Sequence, residues 1–575
     1  MYSTLPLISL ALLTTVSSTP VLDVSQDQWR SLNSTVGGRL HTGTPFALPC
    51  FSVYNNHSVN LDEQACGVIQ ANYNSPQFRV DTFSANMFVE FETCMKTGSK
   101  CLLDPTDLPA IAGQSCGQGE IPPYYIEVQT AGDIQAAFKF SEQTKVPLSI
   151  KNSGHDLFGR SRRPDSLGLW TRKLQTMSYE PTFVAEGCKG SSNRAITTGA
   201  GVTLAQVYQF ADQHNSTFVG GYSETVGASG GWLMGGGHSV LSPTLGLGVD
   251  RVLEIKIVTP DGQLRTANAC QNTDLFWALR GGGGGTFGVV TESTHLVEKS
   301  FSLQVINMTF VATPANLPEY FAVLVNNSVR WADEGWGGHI NNAPAGIAYV
   351  NSQLSLANAT ASMAPVAAFA AANNGTATFT TFSSWFDFFT NFVTKAEVPV
   401  GGSASLGSRL MPKTLYETDT GRAQLVAHLV KQTTEHGMPA VGVVTPISFK
   451  ATPGATAVTP AWRNSLWHLE LPSFWAYNST PAQVSAGLSV AHDFVQTELV
   501  PLAPDSGSYM NEGDVYESNH EVSYWGSNYA RLLEIKNKYD PKGLLSCWRC
   551  VGWTGPDPTE YPCYPTLAAV PNTPT

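Results

Sequence analysis

The chain has 575 residues, 42% of them hydrophobic and 14% charged, with a formal net charge of -12. That length exceeds what one small core organises, so two or more domains are expected. Acidic balance without any block of Lys or Arg excludes nucleic acid and anionic membrane as partners, because both are held by clustered positive charge.

Residues 1–19 carry a short apolar run, LPLISLALL, followed by small residues in TTVSST. It is too short to span a bilayer and sits where a secretory signal belongs, although a basic n-region is missing. No later segment is apolar for long enough to cross a membrane. Asn33, Asn56, Asn215, Asn307, Asn326, Asn358, Asn374 and Asn478 each open an N-x-S/T triplet, and the cysteines number 10, an even count. Both features suit a secreted chain that forms disulfides. Cys547-x-x-Cys550 has no second pair or nearby His to complete a zinc set, so structural disulfides are the reading, with the pairing open.

Residues 20–120 read as a loop-rich, cysteine-stapled lead-in. From Ile121 to about Ser300 the pattern becomes regular. Asp133 is expected to cap a helix through IQAAFKFSEQTK, with Ile134, Ala137, Phe138 and Ser141 on one side. VPLSI (146–150) is a short buried strand, and TLAQVYQFADQH (203–214) is a second helix. VLEIKIVTPDGQLRTA is a hairpin turning at Asp261-Gly262. From Phe301 to Pro504 the text shifts toward Ala, Thr, Asn and Val, with alternation in SLWHLELPSFWAY. This gives a separate sheet with helices over one face. From Tyr509 onward, NYARLLEIKNKYDP returns to helical text. No internal repeat or low-complexity tract appears.

Three glycine-bearing stretches carry the chemistry: Asn152 to Ser161 (NSGHDLFGRS), Gly227 to His238 (GASGGWLMGGGH) and Arg280 to Gly288. Without side chains, backbone N–H groups converge on an anion, and two such loops after strands can enclose a dinucleotide. Gly283, Gly285 and Gly288 spell G-x-G-x-x-G. However, helical DLFWALR precedes them and strand-like FGVVTE follows, the reverse of the nicotinamide-binding order, so that fold is rejected.

With these stretches in register, the sequence resembles the vanillyl-alcohol-oxidase superfamily of FAD-linked oxidases, in its berberine-bridge-enzyme-like branch. Among secreted fungal members it is similar to isoamyl alcohol oxidases. The resemblance runs from about Ile121 to Ser300 and resumes from Tyr509 to about Gly552, and the spacer between fits the family's substrate domain. It implies an α+β fold: an FAD-binding domain of two α/β subdomains at 121–300 and an inserted antiparallel substrate domain at 301–504. The return segment 505–575 completes the FAD site. It implies FAD joined through its 8α carbon to His155, with Asn152, Ser153, Gly154, Asp156, Gly159, Arg160 and Ser161 around it. Ser223 stands where many relatives carry a second, thioether-forming Cys, so a single covalent link is expected. Val226 stands where oxygen-reactive relatives carry a small residue, which favours oxidase chemistry with oxygen as acceptor. Thr225, Gly227, Ser229, Gly230, Gly235, Gly236 and His238 complete the second loop, His238 ordering backbone. Tyr509-Met510-Asn511 resembles the family's Y-x-N, with Asn511 holding the cofactor and Tyr509 as base. A phenol titrating near 10 needs neighbouring positive charge or an electron-poor flavin for that role.

His468 and Glu470 share a strand face by period two, close to Trp475, which makes Glu470 a second catalytic candidate. No Ser–His–Asp order and no HExxH is present, and no metal is expected. The expected partners are a small alcohol or comparable natural product and oxygen, with the chain acting as a monomer. The rivals are C–N or C–C oxidation including ring closure, carbohydrate oxidation, and a flavin-retaining binder without turnover.

Overall fold

A computed structural model describes residues 20–108, 115–190, 192–342, 344–396, 399–437, 439–555 and 560–568. The proposed secretory signal at 1–19 lies outside them. No helix among the described residues is long and apolar enough to cross a membrane.

Three sheets organise the chain. The first contains the strands Tyr124–Glu127, Leu167–Trp170 and Leu148–Lys151 in parallel, with Leu40–Thr42 added antiparallel at one edge. Its parallel strands are short and apolar, and the helix Ala131–Thr144 covers them through Ile134, Ala137 and Phe138. That helix begins three residues earlier than its carboxylate suggested. Thr130 is the N-cap, while Asp133, at the third helical position, accepts from the Gln129 and Thr130 N–H groups at 3.0 and 2.9 Å. This is a capping box, and Asp133 is its reciprocal partner.

The second sheet is antiparallel, ordered Leu264–Asn268, Val252–Val258, Val289–Leu296, Asn193–Gly199, Met177–Phe183. Its first pair is the hairpin read at Asp261-Gly262. The helix Thr273–Leu279 precedes the third glycine stretch and the strand Val289–Leu296 follows it, the order expected for a chain without a nicotinamide-type fold.

The third sheet has seven antiparallel strands, ordered Thr376–Phe382, Leu303–Phe310, Ala345–Asn351, Gly337–Asn342, Ala440–Val443, Ser465–Trp475, Ser403–Pro412. The helices Leu317–Asp333, Ala364–Ala372 and Asp419–His436 contribute to one apolar core with it, built on Phe321, Leu324, Leu425, Trp467 and Leu469. The fold is therefore α+β, with a long antiparallel sheet whose other face is free to meet the glycine loops.

All 10 cysteines are paired. Cys50–Cys66 and Cys101–Cys116 staple the lead-in, Cys188–Cys270 links two loops beside the second sheet, and Cys547–Cys550 closes a local loop. Cys94–Cys563 ties the lead-in to the tail across 469 residues. Six of the sequon asparagines are exposed; Asn33 and Asn307 are half-buried.

Candidate active site

The glycine loops, the free face of the seven-stranded sheet and the segment after Ser508 enclose a cavity of about 960 Å³. Small-molecule and cofactor sites fall in this size range.

The first loop leaves the parallel strand Leu148–Lys151. Lys151 ends that strand fully buried, its Nζ donating to Thr82 O, Phe83 O and Ala85 O at 2.8, 2.9 and 2.5 Å. Burial, and then Arg162, push its ammonium well below the ordinary lysine range. The loop turns on Gly154, whose φ of +91° strains any side-chain-bearing residue. Asp156 then draws it tight, accepting from the Phe158 and Ser161 N–H groups at 2.9 and 2.6 Å. This geometry holds His155 half-buried at the cavity wall, its Nε2 2.8 Å from Thr225 Oγ1. Burial, and then Lys151, hold its imidazole down to about 4, so the ring is neutral and nucleophilic at neutral pH.

Asn152, Ser153, Gly154, Asp156, Arg160 and Ser161 line the same cavity. Arg160 donates to Trp548 O and Met510 O at 3.1 and 2.6 Å, fastening the loop to the return segment. Gly159 lies behind the wall, where a Cβ would strike Phe91 and Tyr564. In the second loop Ser223, Val226, Gly227, Ser229, Gly230 and His238 line the cavity. Thr225 sits one layer back against His155, while Gly235 and Gly236 pack beneath Asn511 and Tyr509. Ser229 is absorbed in a buried hydroxyl chain with Thr198 and Ser293, 2.6 Å to each.

An FAD-sized ligand suits this cavity. Gly230, Gly231, Gly284, Gly285 and Gly288 give walls without side chains, and the buried Ser161 Oγ and Arg160 Nη2 have no partner. Polar atoms buried without a partner are costly, and a polar ligand satisfies them.

Tyr509 also lines the cavity, but its hydroxyl is engaged. It receives Asn511 Nδ2 at 2.7 Å and the Gly237 N–H at 3.4 Å, and lies 3.3 Å from Trp232 O as donor. Burial, and then the Glu512 carboxylate, push the phenol above its ordinary range. The charge acting on Tyr509 is thus opposite in sign to what a phenolate base needs. Asn511 lines the cavity and donates to Gly231 O at 2.9 Å, which fixes the return segment on the second loop.

Beside Tyr509 the fold gathers a group that was dispersed in the sequence. His238 Nε2 lies 2.9 Å from Glu512 Oε2, and His468 Nδ1 lies 3.6 Å from the same oxygen and 2.9 Å from Glu470 Oε1. Burial pushes the Glu512 carboxyl up, but His238, His468 and His339 outweigh it and hold the group below its ordinary value. His238 is correspondingly raised: burial opposes its charge, and Glu512 and then Glu470 restore it. His238 thus meets a carboxylate as well as closing the second loop. His339, whose Nδ1 is buried without a partner, is held down to about 4 by burial and then by His238. Sequence reasoning passed over Glu512, although it adjoins Asn511, and His339, which sits in no motif. Lys151, one residue before the loop, was missed for the same reason.

Two family models match this chain: "FAD binding domain" over residues 122–268 and "Berberine and berberine like" over residues 508–546. The chain is 41% identical to the FAD-linked oxidoreductase ffsJ of Aspergillus flavipes, over 92% of this chain and 93% of that one. It is 39% identical to the FAD-linked oxidoreductase cheF of Chaetomium globosum, over 92% and 87%. Among solved structures, the VAO-type flavoprotein MtVAO615 from Myceliophthora thermophila C1 superposes with a TM-score of 0.80 at 27% identity, over 92% of this chain and 95% of that one. Glucooligosaccharide oxidase from Acremonium strictum shares the fold, with a TM-score of 0.63 at 21% identity over 75% and 91%.

Proposed function

We propose, since the chain belongs to the FAD-linked oxidoreductases of the vanillyl-alcohol-oxidase superfamily, in its berberine-bridge-enzyme-like branch, that it is a secreted alcohol oxidase. Its FAD is held by one covalent bond from His155. When bound, FAD accepts hydride from the carbon bearing the substrate hydroxyl and returns the electrons to oxygen, with hydrogen peroxide as product. The observation that carries this reading is His155, an imidazole kept neutral in a glycine-walled cavity whose lining also includes Glu470, Glu512 and Tyr509.

The chain's own residues divide the work. Thr225 engages Nε2 of His155, which leaves Nδ1 as the nitrogen for attachment. Ser223, in place of a cysteine, gives no thioether. Asn152 to Ser161 and the second loop hold the cofactor, and Asn511 ties the return segment over it. Tyr509, with its proton held by burial and by Glu512 and its hydroxyl engaged by Asn511, Gly237 and Trp232, shapes the wall beside the substrate and is not its base. Glu470 takes the hydroxyl proton: it lines the cavity on the strand Ser465–Trp475 and is the catalytic carboxylate of this reading. The cavity lining also includes Val400, Leu406, Val441, Ile340 and Phe392, with Asn307, Asn341 and Asn391 as its polar members there. That lining suits a hydroxyl carried on a largely apolar skeleton, with water excluded from the reacting carbon.

The test is anaerobic bleaching of the bound flavin by a panel of apolar secondary alcohols, amines and oligosaccharides. Alcohols should bleach it, and peroxide should appear on admitting air. Glu470→Gln should slow bleaching by about 10²- to 10⁴-fold, the usual contribution of a general base, while flavin content stays constant. Bleaching by amines or sugars alone would replace the alcohol reading. An unchanged rate in Glu470→Gln would remove Glu470 from it.

A further inference from the structure

We propose that His238, His468 and Glu512 form a binding site for one divalent cation of the zinc class, open to the substrate side of the cavity. Their ligand atoms, one imidazole nitrogen from each histidine and one carboxylate oxygen, all lie within 4.8 Å of one another. The separations to Glu512 Oε2 are 2.9 Å from His238 Nε2 and 3.6 Å from His468 Nδ1. Ligands about 2.1 Å from one tetrahedral ion stand about 3.4 Å apart, so small side-chain rotations suffice to close the site.

An independent feature points at the same spot. His468 is fully buried, yet its Nδ1 makes no hydrogen bond, since the nearby carboxylate oxygens lie off the ring N–H direction. A polar atom buried in this way costs free energy unless something satisfies it. The other ring nitrogen, Nε2, lies 2.9 Å from Ser408 Oγ. Such an outer contact fixes ring orientation and leaves the Nδ1 lone pair for a metal. The ligands come from three places: the end of the second glycine loop, the middle of the strand Ser465–Trp475, and the turn after Asn511. The ligand set is thus an assembly of the tertiary fold, with no local spacing to announce it.

Donor chemistry narrows the cation. Two imidazoles and one carboxylate suit zinc and its first-row neighbours, whereas calcium and magnesium favour all-oxygen shells. Three protein ligands leave a fourth position. His238 and Glu512 both line the cavity, so that position faces it, and a water or a substrate oxygen completes the shell. The site does not depend on the hydride reading. With no cation bound, the same atoms share a proton between His238 and Glu512, and the experiment separates the two states.

Untagged, flavin-bearing protein is stripped with dipicolinate, dialysed and titrated with Zn²⁺ alone by calorimetry. Bound metal is counted by plasma mass spectrometry after desalting. The expected result is one Zn²⁺ per chain, binding lost in Glu512→Gln and in His238→Asn, and affinity reduced about tenfold or more in Ser408→Ala, which keeps all three ligands. Flavin absorbance and melting temperature report that each variant is folded. His468→Ala empties a buried position, so a poorly folded product there leaves the decision to the two cavity-facing variants. The proposal is overturned if saturable binding is absent up to millimolar Zn²⁺, or if Glu512→Gln and His238→Asn bind as the parent does. The flavin-bleaching assay is read separately, so failure of one reading is distinguishable from failure of the other.

Discussion

His155 shows how much of this site rests on the protonation of one side chain. Its imidazole is held down to about 4 by burial and Lys151, and only the neutral ring is a nucleophile. Attachment of added FAD to flavin-free protein should therefore run at a constant rate above pH ~5 and decline as the pH falls through about 4. Acid precipitation followed by visible absorbance of the pellet measures it. His155→Ala should leave the pellet colourless at every pH, with all pigment in the supernatant. An attachment rate that instead falls between pH ~7 and 6, where an unperturbed imidazole protonates, would show that the ring's surroundings do not act as described.

Elements matter here through their ends. The helix Ala131–Thr144 supports the parallel strands from which the His155 loop departs, and its capping box is joined to the lead-in through an ion pair between Asp133 and Arg39. Asp133 is nearly inaccessible, so Asp133→Ala loses both the backbone cap and the partner of Arg39. A loss of about 1–2 kcal/mol is expected, read as a lower denaturant midpoint with an unchanged slope. The strand Ser465–Trp475 makes the complementary point. Its alternation places His468 and Glu470 on the cavity side, while Trp467 and Leu469 face the helical core. A one-residue slip would exchange the two sets, and the pairings of Leu410 with His468 and Gly442 with His468 fix the register.

Over the whole molecule, the lead-in proves to be part of the active-site scaffold. Phe88 lines the cavity, Met87 N donates to Gly154 O at 2.9 Å, and Val89 N donates to Gly402 O at 3.0 Å, so this segment bridges the His155 loop and the seven-stranded sheet. Cys94–Cys563 clamps it to the tail. The double variant Cys94→Ser/Cys563→Ser should lose about 2–4 kcal/mol, with flavin retention falling in parallel in thermal melts. Beneath the loop, Glu120 and Glu90 are buried near each other and near Asp156, with Arg162 as the opposing charge on Glu120. Burial, and then Asp156, push the Glu120 carboxyl well above its ordinary value. A carboxyl raised by folding contributes its full stability below its unfolded pKa and loses it as the pH rises through the folded pKa. Glu120→Gln should therefore raise the melting temperature near pH 7.5 and leave it unchanged near pH ~3, where both states are protonated. An equal effect at both pH values would assign the change to packing.

Local text was sufficient for whatever depends on local backbone chemistry. The glycine loops, the reversed order around Gly283 to Gly288, the hairpin at Asp261-Gly262, the helix 203–214 and the Y-x-N segment are all carried by neighbours along the chain. So is the single-cysteine deficit at Ser223. Long-range assembly was not legible in the same way. Glu512 becomes a partner of His238 only when residues 274 apart in sequence are brought within a hydrogen bond. Pairing of Cys94 with Cys563 depends on where the lead-in comes to rest. The polarity of Tyr509, held protonated by burial and a facing carboxylate, arises from its three-dimensional surroundings and not from its motif. Sequence determines what each loop is able to bind, because turns and periodicity are short-ranged. Burial and through-space charge, which set protonation and bring ligands together, exist only after the chain has folded.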